Sequence, residues 1–130
     1  AEISPWRMEV VRLSSGATVV NDAYNANPLS MEAAIDAVVA LPAERRVAVV
    51  GVMAELGDRH EADHRSVGER LRREGIEVIS MQVPEYGGTL VTSVDEALAA
   101  LGEVDAETVV LVKGSRVAAL ERVVDTLRGD

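Results

Sequence analysis

Two short runs constrain this chain more than anything else in it. "RRVAVVGV", from Arg45, and "ETVVLV", from Glu107, are apolar without alternation. A strand at a sheet surface alternates apolar and polar residues, whereas a strand covered on both faces is apolar throughout. Two such strands need helices on both sides of the sheet. The rest of the sequence supplies them. A helical pattern begins at Pro28, carries Met31, Ala34, Ile35 and Val38 on one face, and stops near Leu41, before Pro42. A second reaches about Glu74, with Val67 and Leu71 inward and Gly75 behind it. "SVDEALAAL" is a third, with Ser93 and Glu96 spaced as a capping box. "SRVAALERVVDTLR" is the last, with Val117, Leu120, Val124 and Leu127 on one stripe.

"IEVISM" and the shorter "TLVT" add strands between the helices. Ahead of them, "RMEVVRL" and "ATVVNDA" flank the turn signal "SSG" and form a hairpin. The expected fold is therefore α/β: a three-layer αβα domain. Its sheet is mainly parallel, of about six strands, with an N-terminal β-hairpin. The 130 residues suit one domain spanning residues 1–130.

Composition removes several classes of function. No cysteine is present, so disulfides and thiolate metal sites are excluded. The net charge of −9 and an aromatic share of 2% argue against nucleic-acid binding, which needs basic surface and stacking side chains. No apolar run is long enough to span a membrane, and "AEISPWRMEV" lacks the pattern of a signal peptide. Of 13 basic residues, Lys113 is the one lysine. Its compact ammonium in a chain that otherwise uses arginine marks the position.

In open parallel sheets, ligands collect at the carboxyl ends of the strands. Three strand-to-helix turns here are chemically loaded. In "VVNDAYNANPLSMEAA", Asn27 before Pro28 suits a helix cap. Capping leaves Asp22, Tyr24 and Asn25 to be explained. Asp22 at a strand end suits the paired hydroxyls of a ribose, and the free N–H groups of a helix start suit phosphate. In "VVGVMAELG", Gly51 and Gly57 bound a loop that carries Glu55. In "VLVKGSR", Lys113 and Gly114 follow a strand, Ser115 suits an N-cap, and the charge of Lys113 and the helix start could share one anion. Neither a Walker A loop nor G-x-G-x-x-G occurs.

"HEADH", His60 to His64, matches the zinc-protease spacing H-E-x-x-H. The chain contains no further histidine to complete a zinc site, and Glu69 and Glu85 are nominal third ligands. No metal site is therefore expected. His64 is expected on the inner helix face with Val67 and Leu71, or at the edge of the site.

"NDAYNANPLSMEAA", "VVGVMAELG" with "HRSVGERL", and "VLVKGSR" together resemble, in order and spacing, the C-terminal domain of the Mur ligases. "SPWRMEV" resembles the junction entering that domain, and the likeness covers nearly the whole chain, weakest from about Ser80 to Asp105. The resemblance implies a Rossmann-like domain that closes over ATP and an incoming amino substrate in an ATP-dependent, amide-forming ligase. In that branch of the family which "NAN" and "VKGSR" resemble, D-alanyl-D-alanine is joined to UDP-N-acetylmuramoyl-tripeptide through an acyl phosphate during peptidoglycan synthesis. Another Mur ligase or a folylpolyglutamate synthase is the near alternative, and a non-catalytic anion- or nucleotide-binding module is a more distant one.

The resemblance also implies roles for single residues. Asp22 matches the position that holds the nucleotide ribose, with Tyr24, Asn25 and Asn27 in the nucleotide-facing loop. Lys113, Ser115 and Arg116 match the stretch facing the amino substrate, and Glu55 and His64 match positions near the cleft. The implied partners are N-terminal and central domains absent from this chain, the central one holding most of the ATP and Mg2+. By the same reading the chain is cytoplasmic, is inactive alone, and would lose turnover but little stability on Lys113→Ala. One departure is visible: Val52 stands where that branch usually has Asp in "GDMAELG".

Overall fold

The computed structural model describes residues 2–3, 8–22, 26–115 and 120–129. Strands β1 (Glu2–Ile3), β2 (Glu9–Arg12) and β3 (Thr18–Asp22) open the chain. Helix α1 (Pro28–Ala40) leads to β4 (Arg45–Val50), then α2 (His60–Arg73) to β5 (Glu77–Met81). Short β6 (Thr89–Val91), α3 (Val94–Leu101), β7 (Thr108–Lys113) and α4 (Glu121–Arg128) complete it.

One seven-stranded sheet runs in the order β1-β2-β3-β7-β4-β5-β6. The β1–β2 and β2–β3 pairs are antiparallel. From β3 to β6 every pair is parallel. The expected parallel sheet with an N-terminal hairpin is what forms, and the two-residue β1 adds a strand at the hairpin's outer edge.

The two runs that read as doubly covered, β4 and β7, lie side by side in the middle. Their alternate residues feed two separate cores. Val47, Val49, Val110 and Val112 pack with Ala97 and Leu101 of α3 and with Val123 and Val124 of α4. Ala48, Val50, Val109 and Leu111 pack with Met31, Ile35 and Val38 of α1 and with Val67 and Leu71 of α2. Unbroken apolar sequence is thus what a period of two looks like when both faces are dry.

The caps differ from the expected pattern. The reciprocal box forms at α1, where Asn27 Oδ1 accepts from the Ser30 N–H at 2.8 Å and Ser30 Oγ accepts from the Asn27 N–H at 3.1 Å. At α3, Ser93 Oγ accepts from the Glu96 N–H at 3.1 Å. The Glu96 carboxylate, however, reaches back one residue further, to the Thr92 N–H at 2.6 Å. Arg70 ties α2 to α1 through Glu32 and Asp36 at 2.5 and 2.7 Å. The last helix is described from Glu121 onward, so the expected Val117 contact and the Ser115 cap fall on residues 116–119, outside the described residues.

Candidate functional site

The parallel register brings the three loaded turns to one edge. Asp22 on β3 is level with Lys113 on β7, and Lys113 is level with Val50 on β4. The ladder continues past the strand ends. The Gly51 N–H donates to the Lys113 carbonyl and the Ser115 N–H donates to the Val52 carbonyl, both at 2.9 Å. This lacing requires glycine. A Cβ on Gly114 would lie 2.8 Å from the Gly51 Cα and 2.9 Å from its nitrogen, closer than backbone atoms tolerate.

At the centre of this rim, Lys113 Nζ donates to Asp22 Oδ2. The lysine is fully buried and the aspartate is 3% exposed. Burial pushes the Lys113 ammonium below its ordinary value, and the Asp22 carboxylate opposes that shift. The marked lysine thus faces the carboxylate of the neighbouring strand. Removing it would strand a buried carboxylate, which argues against the expectation that its loss spares stability.

Asp22 and Asn27 line a cleft of about 390 Å³ with Met8, Leu29, Ala33 and Asp36. A volume of that size suits a small ligand. Leu29 is 82% exposed, an apolar side chain left on the cleft wall at the start of α1. Asn27 uses its side-chain oxygen as the helix cap, so the structural reading of that residue holds. Tyr24, Asn25 and Arg116, expected beside these groups, lie outside the described residues.

Ser115 is buried, and its Oγ has no hydrogen-bond partner among the described residues. Glu55 sits exposed in the second turn with φ of 63°, a left-handed conformation uncommon for a residue with a side chain. Val52 packs at the margin of the core shared by α1 and α2 while its carbonyl serves Ser115. The side chain that replaces the usual Asp therefore rests on apolar neighbours.

Of the two places expected for His64, the structure shows the inner face of α2, with Val67 and Leu71. It is fully buried, beneath the rim rather than facing the cleft. Its Nε2 accepts from the Met53 N–H at 2.9 Å, and its Nδ1 lies 2.6 Å from the His60 carbonyl. An amide can only donate, so Nε2 carries the lone pair and Nδ1 the proton. Both nitrogens are engaged by backbone, which leaves neither a ligand contact nor a metal-binding lone pair. The spacing of "HEADH" does place both rings on α2, 4.2 Å apart between centroids, but as a tilted ring pair.

Sequence reasoning missed Tyr86 and Gly68. Tyr86 is fully buried, its hydroxyl donates to the Gly51 carbonyl at 2.7 Å, and its ring meets His64 edge-on at 5.0 Å. Burial raises its pKa well above the ordinary value, so it remains a donor. A Cβ on Gly68 would fall 1.9 Å from the Tyr86 carbonyl oxygen. The available signals were a glycine inside a helical pattern and a tyrosine in a chain without phenylalanine.

A family model described as Mur ligase, glutamate ligase domain, matches residues 6–116. The chain belongs to the Mur ligase family. This Mur ligase domain is 37% identical over 136 residues to the UDP-N-acetylmuramoyl-tripeptide--D-alanyl-D-alanine ligase of Escherichia coli (strain K12), covering 95% of the chain and 30% of that protein. It is 34% identical over 162 residues to the ligase of the same name from Mycobacterium tuberculosis (strain H37Rv), covering 98% of the chain and 32% of that protein. It is also similar to the crystal structure of the MurF ligase from Thermotoga maritima in complex with ADP. That match has a TM-score of 0.85 and 30% identity, and covers 99% of this chain and 32% of the other. The Mur ligase domain thus spans about a third of these relatives. Among the described residues, no helix is long and apolar enough to cross a membrane.

Proposed function

We propose that this chain is the nucleotide- and substrate-capping domain of a cytoplasmic, ATP-dependent ligase that joins D-alanyl-D-alanine to UDP-N-acetylmuramoyl-tripeptide in peptidoglycan synthesis. On this reading residues 1–130 form one domain, and N-terminal and central domains belong to the same protein. The observation that carries it is the convergence of Asp22, Asn27, Lys113 and Ser115 on one carboxyl rim, with a cleft beside the first two. The names of the relatives and the ADP of the Thermotoga maritima complex support the substrate class.

The apolar and polar walls of the cleft suit a nucleotide, with Asp22 toward the ribose and the start of α1 toward anionic oxygens. By the family resemblance, Tyr24 and Asn25 also serve the nucleotide. Lys113 acts through Asp22, holding that carboxylate in place by its hydrogen bond. Ser115 and Arg116 then face the dipeptide, and Glu55 stands at the margin. Mg2+ is a different matter: Asp22 is committed to Lys113, and no cluster of three metal-ligating side chains occurs among the described residues. The residues here do not fit that ion, and its site belongs to the central domain. The domain's own contribution is orientation and exclusion of water as the amine meets the acyl phosphate.

The test is ADP release by the complete protein with each candidate amino substrate. Release that needs both UDP-N-acetylmuramoyl-tripeptide and D-alanyl-D-alanine is expected. Turnover with a single amino acid in place of the dipeptide would transfer the assignment to another Mur ligase or a folylpolyglutamate synthase. Asp22→Asn should weaken ADP binding about tenfold, or ~1.4 kcal/mol, by calorimetry. Unchanged affinity would remove Asp22 from the nucleotide site.

A further inference from the structure

The second turn is held from below by side chains that no binding role explains. His64 Nε2 accepts a hydrogen bond from the Met53 N–H, and the Tyr86 hydroxyl donates one to the Gly51 carbonyl. Between those two anchor points, Gly51 and Val52 are the residues bonded across to Lys113 and Ser115. The hydrogen bonds therefore form one connected path from the face of α2 to the rim. Gly68 makes the path possible by letting α2 approach the Tyr86 backbone, and Arg72 clamps the same Tyr86 carbonyl at 2.6 Å.

We propose that His64 is a positioning residue: its neutral ring holds the Gly51–Leu56 turn against the Lys113–Ser115 segment, and a second proton on that ring releases the turn. The connection to ligands rests on the reading of the rim given above. The hold requires a lone pair on Nε2. An imidazolium would aim an N–H at the Met53 N–H, replacing a hydrogen bond by a buried donor–donor contact.

The groups facing His64 are the His60 ring and Asp63 on α2, and Glu85 and Tyr86 on the turn before β6. Burial, with a lesser charge interaction from the His60 ring, drives His64 below its ordinary value of 6.5, while the His60 carbonyl and the Asp63 and Glu85 carboxylates oppose this. The folded form thus favours the neutral ring. The hold is complete above about pH 6.5 and is lost as the pH falls through the lower folded-state value.

Amide exchange at Met53 in this chain tests the proposal without catalysis, after correction for the intrinsic pH dependence of exchange. In the wild type, Met53 protection should fall at least tenfold between pH 7.5 and pH 5, while Val110 in the central strand stays protected. His64→Gln keeps an acceptor at the reach of Nε2 but cannot titrate. It should keep Met53 protected at both pH values. His64→Phe keeps the bulk and removes the acceptor, so Met53 should exchange fast at both. An acid-induced loss that persists in His64→Gln, or Met53 protection that survives in His64→Phe, would overturn the proposal. Should His64→Phe fail to fold, the comparison of wild type with His64→Gln still decides. ADP titration of the complete protein carrying the same substitutions separates the two readings. Affinity that falls in acid only for the wild type links the turn to the nucleotide. Absence of ADP binding at every pH, with the Met53 pattern intact, refutes the ligand reading and leaves the His64 hold standing.

Discussion

Two neighbouring parts of one rim are held by opposite chemistry. Where β3 meets β7, a carboxylate and an ammonium are buried together. Where the chain leaves β4, two uncharged side chains, an imidazole and a phenol, hold the backbone itself. The first arrangement fixes a side chain and the second fixes a loop. A buried ion pair is costly to desolvate and is tolerable only intact, so its members depend on each other strongly. A neutral support loses about one hydrogen bond when cut, but it depends on protonation state where its acceptor is histidine. The rim therefore combines a charge of fixed direction with a turn whose hold responds to acid.

This contrast can be broken most sharply at Lys113. Lys113→Met should lower unfolding stability by about 3–5 kcal/mol in urea titration, because Asp22 is left buried without its partner. Adding Asp22→Leu should restore much of the loss. Simple additivity of the two changes would show that the residues do not hold each other.

The neutral side answers next. Gly68→Ala removes an unfavourable glycine from a helix, which alone would stabilise by about 1 kcal/mol. The clash with the Tyr86 carbonyl should reverse that sign and give a net loss of about 2–3 kcal/mol. A stabilised variant would mean that α2 and the turn do not press together. Tyr86→Phe leaves the Gly51 carbonyl without its donor and should cost ~1–2 kcal/mol, with faster exchange at the Gly51 and Met53 amides. An unchanged melting curve would exclude the hydroxyl as a support. The smallest effect belongs to Asn27→Ala, which removes the α1 cap at about 1 kcal/mol. It should leave the protection of Met53 unaltered, since Asn27 shares no partner with the neutral support.

Much of the architecture was legible because it rests on patterns along the chain. The apolar runs of β4 and β7, Asn27 before Pro28 and the "SSG" turn each report local geometry through residue type alone. The convergence of Asp22, Lys113 and the second turn on one edge followed from the alternation of strands and helices. The partners within that edge did not. Asp22 and Lys113 are 91 positions apart, and their meeting depends on β7 inserting between β3 and β4. His64 showed the same gap. Its helical spacing placed it inward, but nothing local indicated that a backbone amide from the preceding turn would occupy its lone pair.

The sequence by itself determined the layer order, the hairpin, the positions of the three turns and the likeness to the Mur ligases. Those properties depend on periodicity and short motifs, which are local quantities. Only the tertiary structure decided that the lone lysine is a partner of Asp22, that His64 is neutral and supports a loop, and that Tyr86 matters at all. Which donor meets which acceptor in a dry interior depends on strand order and on close approach at Gly68 and Gly114. Burial then sets the protonation state, and burial is not written in any short stretch of sequence.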